Sequence, residues 1–165
     1  ATKIRQKGYT EAAIFASRHS YFATSQRVQA FISSCERLGI ETDEKYILKG
    51  SSTRNGGYEI GKQYAALKEP PKMIFCDSDA IALGALRAFH EEGISVPGDA
   101  ELLSIGMLDP EAASYYVPSL SVVEMPNKEI GQQVLRLMRK KVLNNDMSSE
   151  HVKVHAKLML RESFS

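Results

Sequence analysis

The sequence predicts a doubly wound α/β domain built on a parallel sheet. Three observations carry that prediction. Apolar runs of three to five residues recur along the chain, as in Ala12–Ala16, Tyr46–Leu48 and Met73–Cys76. Segments with apolar residues at helical spacing separate them. Glycine or proline marks most of the boundaries, as Gly8, Gly39, Pro70-Pro71 and Gly93 do. Strands alternating with helices at this spacing demand crossover connections, which place helices on both faces of a parallel sheet.

The elements follow in order. Thr2 to Lys7 reads as the tail of a helix that Gly8 stops. Ala12 to Ala16 is a buried strand. Thr24 or Ser25 caps the next helix, where Val28, Phe31, Ile32, Cys35 and Leu38 form one apolar face up to Gly39. Tyr46 to Leu48 is a second strand, followed by a polar loop from Gly50 to Asn55. Tyr58, Ile60, Tyr64, Ala65 and Leu67 mark a helix closed by the two prolines. Met73 to Cys76 is a third strand, and Asp77 or Ser78 caps the helix from Ala80 to Glu92. Gly93 stops it, and Glu101 to Ile105 is a fourth strand. A short helix, Pro110 to Tyr115, leads to a strand over Leu120–Glu124. Pro126 or Asn127 opens a long amphipathic helix to about Leu143, Asn144 to Ser149 reads as a linker, and His151 to Leu160 as a last strand. In such sheets ligands bind beyond the carboxyl ends of the strands, so the loops after Ala16, Lys49, Cys76 and Ile105 are the informative ones.

Composition excludes several classes. With 165 residues, 43% hydrophobic and 25% charged, the chain suits one domain, or one and a fraction of another. A net charge of +1 supplies no field for nucleic acid or an anionic membrane. No apolar run is long enough to span a bilayer, and the first residues lack the apolar stretch of a signal peptide. Cys35 and Cys76 are too few for a disulfide framework and have no C-x-x-C spacing, which favours a reduced, cytoplasmic setting. The chain opens at Ala1 directly in a helix and is expected to be part of something longer.

Catalytic signatures are missing. There is no phosphate-binding glycine loop, and Gly56-Gly57 alone reads as a turn. No nucleophile elbow occurs. His151 and His155 lie four apart on the predicted strand, roughly 13 Å from one another and too far for one metal. Cys35 and Cys76 occupy apolar positions suited to packing rather than attack. Arg136, Arg139, Lys140 and Lys141 read as a solvated face near a helix C-terminus, where cations also suit the dipole.

The run from Lys72 to Leu86, K-M-I-F-C-D-S-D-A-I-A-L-G-A-L, carries the strongest signal. It is a strand ending in a polar turn, then a helix that begins with small residues. Asp77, Ser78 and Asp79 can cap that helix and present oxygens to the crevice. Ala80, Ala82, Gly84 and Ala85 permit close packing against the sheet or a second subunit. The run resembles the N-D-x-M-A-x-G segment of the LacI/GalR family of bacterial transcription regulators. The rest of the chain continues the likeness. Glu92 to Asp99 resembles E-x-G-I-x-V-P-x-D, Ser104 to Asp109 the crevice loop V-I-G-F-D-D, and Val117 to Val123 the P-x-L-T-T-V segment. Glu129-Ile130-Gly131 is similar to the family's E-x-G helix and Leu160 to Ser163 to its terminal R-x-S; upstream, Gly8-Tyr9 and Arg27 to Phe31 resemble G-H-x-x-I and R-x-x-G-F.

The resemblance implies a truncated lobe of a periplasmic-binding-protein-like effector domain. Residues 1–123 and 150–165 would form its C-terminal lobe, residues 124–149 would belong to an N-terminal lobe, and the DNA-binding helix-turn-helix domain would be absent. No catalysis and no cofactor are expected. The implied partners are a small effector, expected to be a sugar or sugar derivative, a second copy of the protein, and DNA only through the absent domain. By the same comparison Arg27 would bond effector hydroxyls or carboxylate, a role suited to its forked donors. Tyr21 and Ala23 would line the pocket from a loop. Ser52 stands where many relatives place a stacking aromatic, and Ser78 replaces a pocket asparagine beside the matching Asp79. Leu108 stands where relatives carry the principal effector-binding aspartate, with Asp109 one position later. Leu83 and Tyr116 match dimer-interface positions. Without the N-terminal lobe, the helix over 127–143 is expected to shift or to pair with a neighbouring chain through Ile130, Val134, Leu137, Met138 and Val142.

Two rival readings share the fold. An exported sugar-binding protein of a transporter would need a signal peptide where the regulator needs a helix-turn-helix. A small α/β enzyme would need a catalytic constellation in the crevice loops.

Overall fold

The computed structural model describes residues 1–19, 22–106, 110–144 and 148–165. Its six strands are β1 (Ala13–Ser17), β2 (Ile47–Gly50), β3 (Met73–Cys76), β4 (Glu101–Gly106), β5 (Ser121–Glu124) and β6 (Lys157–Met159). Its six α-helices are α1 (Thr2–Gln6), α2 (Phe22–Arg37), α3 (Arg54–Ala65), α4 (Asp79–Glu92), α5 (Pro110–Ser114) and α6 (Asn127–Asn144). The sheet runs in the order β2-β1-β3-β4-β5-β6. All neighbours pair in parallel except β6, which lies antiparallel to β5. The predicted doubly wound α/β fold is therefore the one observed, with one antiparallel edge added.

The sequence pattern explains the layers. Every residue of β1 and β3 is buried, as expected of strands covered on both faces. Side chains alternate between two cores. Phe15, Ile74, Cys76 and Leu102 meet Ile60, Tyr64, Ile81 and Phe89 on the α3–α4 side. Ile14, Met73, Phe75 and Leu103 meet Ile4, Phe31, Cys35 and Phe164 on the α1–α2 side. The first core is aromatic: Phe15 lies 5.5 Å from Tyr64 and 6.3 Å from Phe89, edge to face in both cases. The Tyr64 hydroxyl escapes an unpaired burial by donating to the Pro71 carbonyl at 2.9 Å.

Caps set the helix ends. Thr53 accepts from Gly56 N at 3.1 Å and starts α3. Ser78, rather than Asp77, caps α4 by accepting from Ile81 N at 3.4 Å. Gly93 ends α4 at φ 70°, a left-handed conformation that glycine adopts without strain. The polar loop after β2 therefore shrinks to Ser51–Thr53.

Several sequence expectations change, and Gly56-Gly57, read as a turn, lies within α3. Tyr46 closes a 3-10 turn (Glu44–Tyr46) instead of opening β2. Helix α2 begins at Phe22, ahead of Thr24 and Ser25. The final strand covers only Lys157–Met159, because its sole pairing partner is the four-residue β5. His151 and His155 consequently lie outside any strand, both exposed. The proposed linker 144–149 falls half outside the described residues.

Candidate effector-binding site

Parallel strands bring their carboxyl ends to one edge of the sheet, and four loops meet there. Register decides which residues face one another: Ser17 of β1 pairs with Gly50 of β2, and Phe15 with Cys76 of β3. Ser17, Ser52 and Asp77 thus converge although they are far apart in sequence. The Ser17 and Ser52 hydroxyls share a hydrogen bond at 2.5 Å. Asp77 Oδ2 accepts from Ser17 N at 2.7 Å. The Asp77 backbone N–H donates to the Phe15 carbonyl at 3.0 Å, and its own carbonyl accepts from Arg27 Nη1 at 3.4 Å. One aspartate ties β1, β3 and α2 together.

Electrostatics follow from burial. Asp77 is 2% exposed, and desolvation pushes its carboxyl pKa up. The bonds from Ser17 and Ser78 and the charge of Arg27 work in the opposite direction. Asp79 is half-buried at the start of α4, where its charge suits the helix dipole, and its Oδ1 accepts from Ala80 N at 2.7 Å. Burial pushes both thiols up, that of Cys35 to about 11, so neither is an activated nucleophile. Among the described residues no group of three His, Cys, Asp or Glu side chains could hold a metal ion.

The predicted pocket residues divide into three groups. Arg27, Ser52, Ser78 and Asp79 sit at the carboxyl edge. Ser52 is exposed, Ser78 spends its hydroxyl on the α4 cap, and Arg27 is half-buried. Ala23 is exposed on the first turn of α2 and not in a loop, because that helix starts early. Tyr21, Leu108 and Asp109 lie outside the described residues. Ser17 and the carboxylate of Asp77 were missed as a linked pair, and so was Phe22, 82% exposed at the start of α2. Placing Asp77 at the end of a strand was possible from sequence; pairing it with Ser17 required the β1–β3 register. Leu83 and Tyr116 come together elsewhere, in a surface groove with Leu86 and Val117 edged by Arg54, Arg87 and His90.

A doubly wound sheet with polar side chains gathered at its carboxyl edge is the arrangement of α/β domains that bind small molecules. The chain belongs to the periplasmic binding protein-like domain family, whose model matches residues 1–164. Within that class it is similar to LacI-type transcription regulators. It is 27% identical over 156 residues to the HTH-type transcriptional repressor PurR of Mannheimia succiniciproducens, covering 94% of this chain and 46% of PurR. It is 32% identical over 133 residues to the repressor CytR of Escherichia coli K12, covering 81% and 37%. A LacI family transcription regulator from Clostridium acetobutylicum superposes with a TM-score of 0.90 at 29% identity, covering 97% of this chain and 59% of that one. The regulator CelR, solved as a complex with cellobiose, shares the fold at a TM-score of 0.87 and 23% identity, over 98% and 49%. The chain spans about half the length of the curated relatives it matches. These relatives are transcription regulators.

Proposed function

We propose that this chain is the effector-sensing C-terminal lobe, with one helix of a second lobe, of a cytoplasmic LacI/GalR-type regulator. The effector is a sugar or sugar derivative, and its binding alters DNA binding by a helix-turn-helix domain of the intact regulator. One observation carries the reading: a forked donor, Arg27, and the oxygens of Ser17, Ser52, Asp77 and Asp79 gather where a doubly wound sheet binds ligand. The cellobiose held by the CelR neighbour supports the choice of a sugar. Residues 1–123 and 150–165 make up the lobe, and 124–149 reach toward the other. In support, no described side chain of α6 is buried, and Val134, Leu135, Met138 and Val142 are exposed. Among its described apolar residues, Ile130 and Leu137 gain partial cover, beside Val152 and Val154.

A thermal-shift screen of mono- and disaccharides against the intact regulator tests this function, since a ligand stabilises the fold that binds it. Arg27→Ala is expected to weaken the confirmed ligand about tenfold or more, the loss of one charge-assisted hydrogen bond of about 1.5–3 kcal/mol. Unchanged affinity would show that the pocket is elsewhere.

Leu83 and Tyr116 form the centre of a proposed homodimer face. Beside them Val117 is 96% exposed and Tyr115 77%, an apolar surface that a monomer has no reason to present together. Val117→Asp is expected to shift the regulator from dimer to monomer in sedimentation velocity. A dimer that persists at low micromolar concentration would place the interface on another face.

A further inference from the structure

Asp77 does more than hold the loops. It is a carboxyl side chain, almost wholly buried, at the carboxyl edge of the sheet, where Arg27 reaches its backbone carbonyl. Its carboxylate has no proton to donate to a ligand, and Oδ2 is committed to Ser17 N. What it adds to the crevice is negative charge directly behind the arginine. The guanidinium turns one N–H to the Asp77 carbonyl and keeps other N–H groups for a ligand. Asp79, at the head of α4, adds a second carboxylate at the same edge.

A guanidinium backed in this way keeps its hydrogen-bonding geometry while much of its long-range attraction for anions is cancelled. Neutral hydroxyl and carbonyl oxygens need only the geometry. A phosphate or carboxylate needs the field as well, and the charge of Asp77, on which Arg27 acts, opposes it.

We propose that Asp77 determines specificity in this crevice, directing Arg27 toward uncharged polyhydroxyl effectors and against phosphorylated or carboxylated ones. The inference rests on the sensor reading above and narrows its effector class. Asp77 acts through Arg27 and Ser17, as a positioning residue. Its neighbours on this chain suffice for the test.

The experiment titrates inorganic phosphate into the isotopically labelled chain and follows the Arg27 side-chain and Ser17 amide resonances by NMR. The wild type is compared with Asp77→Asn, which keeps an oxygen acceptor for Ser17 N and removes the charge. Asp77→Thr replaces it if the asparagine variant does not fold. The neutral variant is expected to bind phosphate about tenfold more tightly or better, the scale of one unit charge roughly 10 Å away at an effective dielectric near 20. Adding Arg27→Ala should abolish the gain. The proposal fails if the neutral variant gains no phosphate affinity, or if the gain survives loss of Arg27. Sugar binding is scored separately. A phosphate gain in a protein that answers to no sugar would sink the sensor reading and leave the role of Asp77 standing; sugar binding with no phosphate gain would do the reverse.

Discussion

Replacing Ser163 by alanine is expected to destabilise the protein by about 3 kcal/mol, although the residue lies two positions from the end of the chain. Its hydroxyl is fully buried. It donates to the Leu102 carbonyl at 2.8 Å and accepts from Ser121 N at 2.8 Å, so it ties the chain end to β4 and β5 at once. Alanine would strand both groups away from water, and each unsatisfied buried group costs about 1–3 kcal/mol. Neighbouring bonds strengthen the staple: Ser163 N donates to the Ser119 carbonyl at 3.0 Å, and Arg161 N to Ser121 Oγ at 2.7 Å. Phe164, inserted into the α1–α2 core, depends on that anchoring. Urea unfolding would measure the effect as a lower midpoint at unchanged slope. A loss below about 0.5 kcal/mol would mean that water replaces the hydroxyl in both bonds.

Gly84→Ala should lower stability by about 2 kcal/mol or more, against the trend of helix propensity. In an unconstrained helix alanine is preferred by about 1 kcal/mol. Here α3 and α4 approach so closely that a Cβ on Gly84 would lie 1.9 Å from the Arg54 carbonyl oxygen and 2.5 Å from Tyr58 N. A Cβ on Gly57 would meet Ile81 O at 2.2 Å, so the contact is reciprocal. The obstacles are backbone, which no rotamer change relieves, and the two helices would have to separate. For a domain of this size the melting temperature is expected to fall by roughly 4–8 °C. An unchanged or higher value would show that the helices part freely. The consequence reaches the site, because α4 carries Ser78 and Asp79 at its N-terminus.

The small-residue run was legible as a packing surface, yet its partner was not. Sequence left two choices, the sheet or a second subunit, and the structure adds a third, α3. Periodicity records which face of a helix is apolar or narrow, but the object on that face depends on where crossover connections deliver the next element. The dimer-matching residues illustrate the same limit. Leu83 and Tyr116 are 33 positions apart, and only the folded chain sets them in one groove.

The candidate site divides along the same line. Arg27 was found through its place in a family motif, and Asp77, Ser78 and Asp79 through their position between an apolar strand and a helix. Which of the three caps α4 was open in the sequence, since Asp and Ser are both good caps. The structure assigns that role to Ser78 and turns Asp77 across the sheet to Ser17.

By itself the sequence determined the strand and helix order, the parallel crossovers and the family. These depend on local periodicity, turn residues and short motifs, all readable within a few positions. Only the tertiary structure decided that Asp77 buries its charge behind Arg27, that Ser17 joins Ser52, and that Ser163 closes the sheet. Each of those bonds spans 35 or more residues and exists only because strand register and the elements packed on it bring distant residues side by side. Register is a property of paired strands and is carried by neither strand alone.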